Sequence, residues 1–256
     1  MSKSSSYTSA EILAVLSARQ LKEGQVVFAG IGIPLLAATL AQRLRCPGLT
    51  ILFEGGVIGA FVEPGKLPPS TNDQRCTKRA NMVLGSADVL LLLQRGYVDV
   101  GFMGGAQIDQ YGNLNSSFIG DWRKPKTRLP GTGGGNDISS LTDMIVAMKH
   151  EKRRFVEKVD FITSPGFIRG RNSRAESGLT HGGMFRVITE LAVFSFDDEE
   201  RRMKVLALNP GVTREQVQDN TGFELIFDNN VGVTEPPSEH ELATLRSLDP
   251  ARQFIA

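Results

Sequence analysis

A chain of 256 residues, 41% hydrophobic and 22% charged, has material for one large domain or two small ones around a real core. Its 29 Lys and Arg balance 28 Asp and Glu, and the net charge of +1 gives no general attraction to nucleic acid or to an anionic membrane. Two cysteines outside any CxxC or Cys/His array, Cys46 and Cys76, argue against a disulfide framework and against a structural metal.

Met1 to Thr8 is polar, without the apolar centre of a signal peptide, and no apolar run approaches the ~20 residues of a membrane span. Cytoplasm is the expected location. Thr8-Ser9-Ala10-Glu11 fits a capping box, and Ile12, Leu13, Leu16 and Leu21 follow at helical spacing up to Gly24. Gln25 to Ala29 reads as a buried strand, and Gly30-Ile31-Gly32-Ile33-Pro34 as a turn into a helix reaching Leu44. Leu49 to Phe53 is the next strand. This order predicts a parallel sheet covered by helices.

Glu63 to Arg79, with Pro64, Pro68 and Pro69, reads as a long irregular segment: a lid, a partner-facing loop or a surface excursion. Ser86 to Leu93 is apolar and ambiguous between helix and strand. Strands are expected at Val98 to Met103, Met144 to Met148 and Val159 to Ile162. Val187 to Phe196 and Met203 to Leu208 flank a turn and predict an antiparallel hairpin. Thr213-Arg214-Glu215-Gln216 is a second capping box, and Glu239 to Leu248 the last helix. No repeat or linker interrupts the chain, so residues 1–256 read as a single domain. The expected fold is α/β: an open, mostly parallel sheet covered by helices, with an antiparallel C-terminal hairpin.

Glu54 is the foremost chemical candidate. An apolar strand delivers its carboxylate into Gly55-Gly56, where no side chain keeps another molecule away. The bland alternative is a strand ending on a polar residue. Gly30-x-Gly32 lacks the third glycine of a dinucleotide fingerprint and reads as a tight connection. Gly104-Gly105-Ala106-Gln107 follows a strand, and the Gln107 amide is placed either for a ligand carbonyl or for capping a loop. Gly131-Thr132-Gly133-Gly134-Gly135 allows backbone N–H groups to converge on an anion, or forms a mobile loop. The basic run Lys149 to Arg154 is either a solvated face or a contact for a phosphorylated ligand. His181 and His240 have no Ser or Asp arrangement beside them, against a Ser-His-Asp hydrolase.

Together these segments resemble the β subunits of the family I coenzyme A transferases. The resemblance runs from Gly24-Gln25-Val26-Val27 to Asp249-Pro250. It is strongest from Gly104 to Ser116 and in His150-Glu151-Lys152-Arg153-Arg154-Phe155, with Thr163-Ser164-Pro165-Gly166 and Asn220-Thr221-Gly222-Phe223 adding to it. It implies that Glu54 is the catalytic glutamate, although Gly55 replaces the serine or asparagine usual after it. It also implies ping-pong transfer of coenzyme A through a covalent glutamyl-CoA thioester. Read from the residues themselves, Gly133 and Gly134 are the candidate oxyanion donors and Gln107 a candidate substrate contact, which puts the Gly131–Gly135 loop beside Glu54 as an expectation. No metal or redox cofactor enters that chemistry; coenzyme A arrives as a thioester substrate. A separate α subunit is the implied partner, facing residues 54–70. Two other readings stand beside it: a hydrolase or C–C bond-cleaving enzyme on a CoA thioester, with Glu54 as general base, and a non-catalytic ligand-sensing domain.

Overall fold

Residues 6–256 are described by the computed structural model; residues 1–5, part of the polar Met1–Thr8 stretch, lie outside it. The chain forms two compact units, Met1–Phe102 with Pro236–Ala256, and Met103–Glu235. No change of composition marks the join at Phe102, so sequence alone reads straight through it.

In the first unit, α1 (Ser9–Ala18) opens on the expected capping box. The Thr8 hydroxyl accepts from Glu11 N at 3.1 Å, and the Glu11 carboxylate accepts from Thr8 N at 2.9 Å. β1 (Val26–Phe28) leads through Gly32, at φ +91°, into α2 (Ile33–Leu44), with Pro34 in its first turn where no N–H is needed. Then come β2 (Thr50–Leu52), β3 (Val57–Ile58), β4 (Met82–Val83), α3 (Ser86–Gln94) and β5 (Val100–Met103). The ambiguous apolar run at 86–93 is a helix. Gly85 N is capped by the Asp88 carboxylate at 3.2 Å, and the buried pair Val89 and Leu93 recurs at i, i+4. The strands lie in the order β5-β1-β2-β3-β4. β1 pairs parallel with both β2 and β5, whereas β3 and β4 return antiparallel at the edge. The C-terminal helix (Glu239–Leu248) packs on α1 and α2, and its Arg246 reaches the fully buried Glu11 carboxylate at 2.6 Å.

The second unit begins with two hairpins, β6 (Gln107–Ile108) with β7 (Leu114–Asn115), and β8 (Phe118–Gly120) with β9 (Pro125–Arg128). α4 (Gly135–Leu141), β10 (Asp143–Ala147), α5 (Ser173–Glu176), β11 (Gly183–Ile188), β12 (Ala192–Phe196), β13 (Met203–Leu208), α6 (Arg214–Asp219) and β14 (Ile226–Val233) come after them. Its strands lie in the order β14-β13-β12-β11-β10. The β11–β10 and β14–β13 pairs are parallel, and the two between them are antiparallel. The expected fold class is therefore present, parallel ladders flanked by helices and interrupted by antiparallel hairpins.

Three local expectations need correction. The single strand expected over 187–196 is cut at Thr189, whose hydroxyl accepts from Leu191 N and Ala192 N and folds the chain back as β11–β12. No strand forms at 159–162. There Asp160 N donates to Gln107 Oε1, and the Asp160 carboxylate accepts from Gly120 N, so side chains replace a ladder. β14 was not foreseen, because Asp228-Asn229-Asn230 interrupts its apolar pattern.

Candidate active site

β2 ends at Leu52, and the fully buried Phe53 anchors the turn beyond it. Phe53 N donates to Val57 O at 2.9 Å, and Gly56 N donates to Phe53 O at 3.0 Å. Residues 53–56 are thus a β-turn with Glu54 and Gly55 at its corners, between antiparallel strands. Glu54 is half-buried. Because β1, β2 and β5 are parallel, their C-terminal ends share one edge of the first unit's sheet, the edge at which such sheets bind ligands.

The turn is tightly boxed. Gly56 has φ +104°, and a Cβ there would overlap the Leu84 carbonyl oxygen, while Leu84 N donates to Gly56 O at 2.9 Å. A Cβ at Gly55 would overlap Asn72 Oδ1 and the Thr71 carbonyl oxygen. The departure from serine or asparagine at 55 therefore has a steric reason: the 61–79 segment crosses directly over the turn. That segment is braced. Phe61 lies between the guanidiniums of Arg43 and Arg79, at 4.9 and 4.4 Å. Glu63 takes Lys66 and Lys78, both at 2.8 Å, which hold its carboxyl down at about 2. Cys76 is buried, and burial pushes its thiol up, away from reactivity. The large exposed apolar side chains described in this unit are Met82, Val83, Leu91 and Tyr97, beyond rather than within residues 54–70.

The glycine cluster belongs to the second unit. Gly131 and Gly133 have φ of +88° and +54°, and Gly134 caps α4. Gly131 N donates to Ser116 O at 2.8 Å, Gly135 N to Thr132 O at 2.9 Å, and Asn136 Nδ2 to Thr163 O at 3.1 Å. A Cβ at Gly135 would overlap Thr132 Oγ1 and the Met103 side chain. This is a packed loop with Gly133 exposed and Gly134 buried.

Gln107 is 6% exposed, and both ends of its amide are engaged. Nε2 donates to Asp160 Oδ2 at 3.0 Å, and Oε1 accepts from Asn115 Nδ2 at 2.7 Å. Around it lies a polar framework that sequence reasoning missed. Asn113 Oδ1 accepts from Gly166 N and Ile168 N, and Asn113 Nδ2 donates to the Asp109 carboxylate at 2.9 Å. A Cβ at Gly166 would overlap the Tyr111 and Gly112 carbonyls. Arg174, buried in α5, donates to the carbonyls of Pro165, Gly166, Ser139, Ser140 and His181. It thereby ties the end of α4 to the Thr163–Gly166 run. Nothing local to Ser173-Arg174-Ala175-Glu176 announces that role.

His150 also departs from its expectation within a basic run. It is 4% exposed and stacked on Phe155 at 4.1 Å, with Nδ1 on Thr189 Oγ1 and Nε2 on Thr221 Oγ1. Burial pulls its pKa down to about 3, whereas burial pushes the Asp109 carboxyl up to about 6. The two act oppositely on stability. Neutral His150 contributes fully above its unfolded value near 6.5, and this is lost as pH falls toward 3, up to about 5 kcal/mol. Protonating Asp109 relieves its burial as pH falls from about 6 to 3.8, up to about 3 kcal/mol in the other direction. Stability is therefore expected to vary little between roughly pH 6 and 4 from this pair, since the two slopes offset. Asp109→Asn should expose the His150 slope as a urea midpoint falling steadily over that interval. An Asp109→Asn midpoint as flat as the wild type would refute this balance.

Among the described residues, no group of His, Cys, Asp and Glu side chains could hold a metal, and no helix is long and apolar enough to cross a membrane. The Coenzyme A transferase family model matches residues 10–220. The chain is 41% identical to the B subunit of the 3-oxoadipate CoA-transferase of Pseudomonas knackmussii, over 96% of this chain and 94% of that one. It is 36% identical to the B subunit of the glutaconate CoA-transferase of Acidaminococcus fermentans, over 100% and 97%. The crystal structure of the latter enzyme matches with a TM-score of 0.91, covering 98% of each chain at 37% identity. A cholesterol ring-cleaving hydrolase IpdB subunit of Rhodococcus jostii is 36% identical over 151 residues, 58% of each chain.

Proposed function

We propose, because this chain belongs to the coenzyme A transferase family, that Glu54 is its covalent nucleophile and that it works with a separate α-subunit partner. The observation that carries this reading is Glu54 itself, presented at a glycine-lined corner beyond a parallel strand, in a chain similar along its length to CoA-transferase B subunits. The chemistry proceeds in two exchanges. The Glu54 carboxylate attacks the acyl-CoA carbonyl, and collapse expels CoA thiolate and leaves a mixed anhydride. The thiolate then attacks the glutamyl carbonyl, forming a Glu54–CoA thioester and releasing the first acid as carboxylate. The carboxylate of a second acid repeats these steps in reverse and leaves as the new CoA ester. Acyl transfer of this kind needs no metal or redox cofactor.

Each carbonyl attacked becomes an oxyanion, and the Gly133 and Gly134 N–H groups are the proposed donors, each worth about 3 kcal/mol in such a role. Gln107 enters as a residue that holds its loop to Asp160 and Asn115. Small carboxylic or dicarboxylic acids are the proposed acceptors.

The test is to trap the intermediate. The chain assembled with its α partner is incubated with acyl-CoA and no acceptor acid, then treated with borohydride. Reduction of the thioester should convert Glu54 to the corresponding alcohol, located by peptide mass, and the chain without its partner should show neither adduct nor turnover. A second reading makes Glu54 a general base for hydrolysis or C–C cleavage of a CoA thioester, and the similarity to the ring-cleaving hydrolase favours it. In that case no adduct forms, and CoA release needs no acceptor.

A further inference from the structure

Two β-turns of the first unit meet tip to tip. One is the 53–56 turn that carries Glu54 and Gly55 at its corners. The other lies within the segment that crosses it. Asp73 N donates to Ser70 O at 3.2 Å, which puts Thr71 and Asn72 at the corners of a turn over 70–73. The two oxygens that a Cβ at Gly55 would overlap come one from each of these corners, Thr71 O and Asn72 Oδ1. Asn72 therefore lies against the residue that follows the proposed nucleophile, and it is exposed.

The 70–73 turn is held in place. Asn72 N donates to Ser70 Oγ at 3.2 Å, and the Asp73 carboxylate accepts from Arg75 N at 2.9 Å and from Arg75 Nε at 2.8 Å. The Arg75 guanidinium goes on to Leu67 O at 3.2 Å. Buried Cys76 closes the loop, its N–H donating to Asp73 O at 3.0 Å and its thiol to Ser70 O at 3.7 Å. Among the described residues the Asn72 carboxamide itself makes no hydrogen bond. With Oδ1 turned to Gly55, its NH2 end is left to donate to whatever reaches this corner. A neutral amide suits an incoming carboxylate that must remain a nucleophile, because it orients the anion without neutralising it as an ammonium would.

We infer that the Asn72 carboxamide is a specificity contact, donating an N–H to the carboxylate of the acid that exchanges at Glu54. The inference rests on the transferase reading and deepens it, naming a group of this chain that the acid meets beside the nucleophile. The crossing segment then does more than close the turn: residue 72 governs which acids are accepted, while Glu54 stays where its own turn holds it.

The experiment measures KM for the acceptor acid in the assembled enzyme at saturating acyl-CoA, using whichever of acetate, succinate and glutarate the wild type accepts best. Asn72→Ala and Asn72→Asp are compared. Aspartate has the shape of asparagine and keeps an oxygen over Gly55, but it loses both N–H groups and adds a negative charge. Donation to the acid's carboxylate predicts a KM about tenfold higher in Asn72→Ala. In Asn72→Asp the acid also meets a like charge, and KM should rise about a hundredfold. A side chain that only fills space over Gly55 predicts the reverse order, with Asn72→Asp close to wild type. Both variants should still form the borohydride-trapped adduct at Glu54 and melt within about 2 °C of the wild type, since residue 72 is exposed. An unchanged KM overturns the inference, as does the reversed order or loss of the adduct in both variants. A wild-type assembly that forms no adduct strikes the transferase reading instead, so the two failures are distinguishable.

Discussion

Glu54→Ala, in the assembled enzyme, is expected to lose CoA transfer by at least about 10⁴-fold, the scale on which removal of a covalent nucleophile is felt. The half-buried turn that presents Glu54 is closed on one side by Leu84 and on the other by Thr71 and Asn72. A substitute nucleophile would have to reach the same corner. Glu54→Asp separates the two mechanisms. Its carboxylate stands one methylene short, and a misplacement near 1 Å costs on the order of a hundredfold when the group must itself attack. A base acting through water tolerates that shortening far better, because the water adjusts. Transfer should therefore collapse in Glu54→Asp while any CoA-ester hydrolysis persists. Near-wild-type transfer by Glu54→Asp would rule out the nucleophilic role.

Gly56→Ala should produce the largest loss of stability available from a single methyl group in the first unit's turns. Two costs coincide there. An L-residue at φ +104° is strained by about 1–3 kcal/mol, and the new Cβ would overlap the Leu84 carbonyl, a backbone atom that accepts no simple rotamer change. The edge strands β3 and β4, which pair Val57 with Val83, would have to separate. A loss of about 4 kcal/mol is expected, which for a chain of this size lowers Tm by roughly 10 °C. Gly24→Ala is the matched control, since its φ is +78° with nothing within 4 Å of the added atom. It should cost only about 1 kcal/mol. If both substitutions lower Tm equally, close approach to Leu84 does not hold the Glu54 turn. Displacement of that turn should also reduce transfer in Gly56→Ala beyond what the stability loss explains.

The features legible in the sequence were local ones. The caps at Thr8 and Thr213 could be read because donor and acceptor lie three residues apart, and the structure closes both boxes. The final helix was legible from its periodicity and occupies Glu239–Leu248 as read. The order strand, glycine turn, helix, strand implied parallel pairing, and β1 and β2 pair that way. Glu54 stood out because its own neighbours, an apolar strand and two glycines, are adjacent in the chain. Features whose partners are distant were settled by tertiary packing alone. Gly55 is glycine because Thr71 and Asn72 cross it, and Arg174 is buried because carbonyls from Ser139 to His181 converge on it. His150 left its basic neighbours for Thr189, Thr221 and Phe155, and the strand expected at 159–162 gave way to Gln107. A buried polar group takes whichever partner packing supplies, and packing joins residues that no short window of sequence contains.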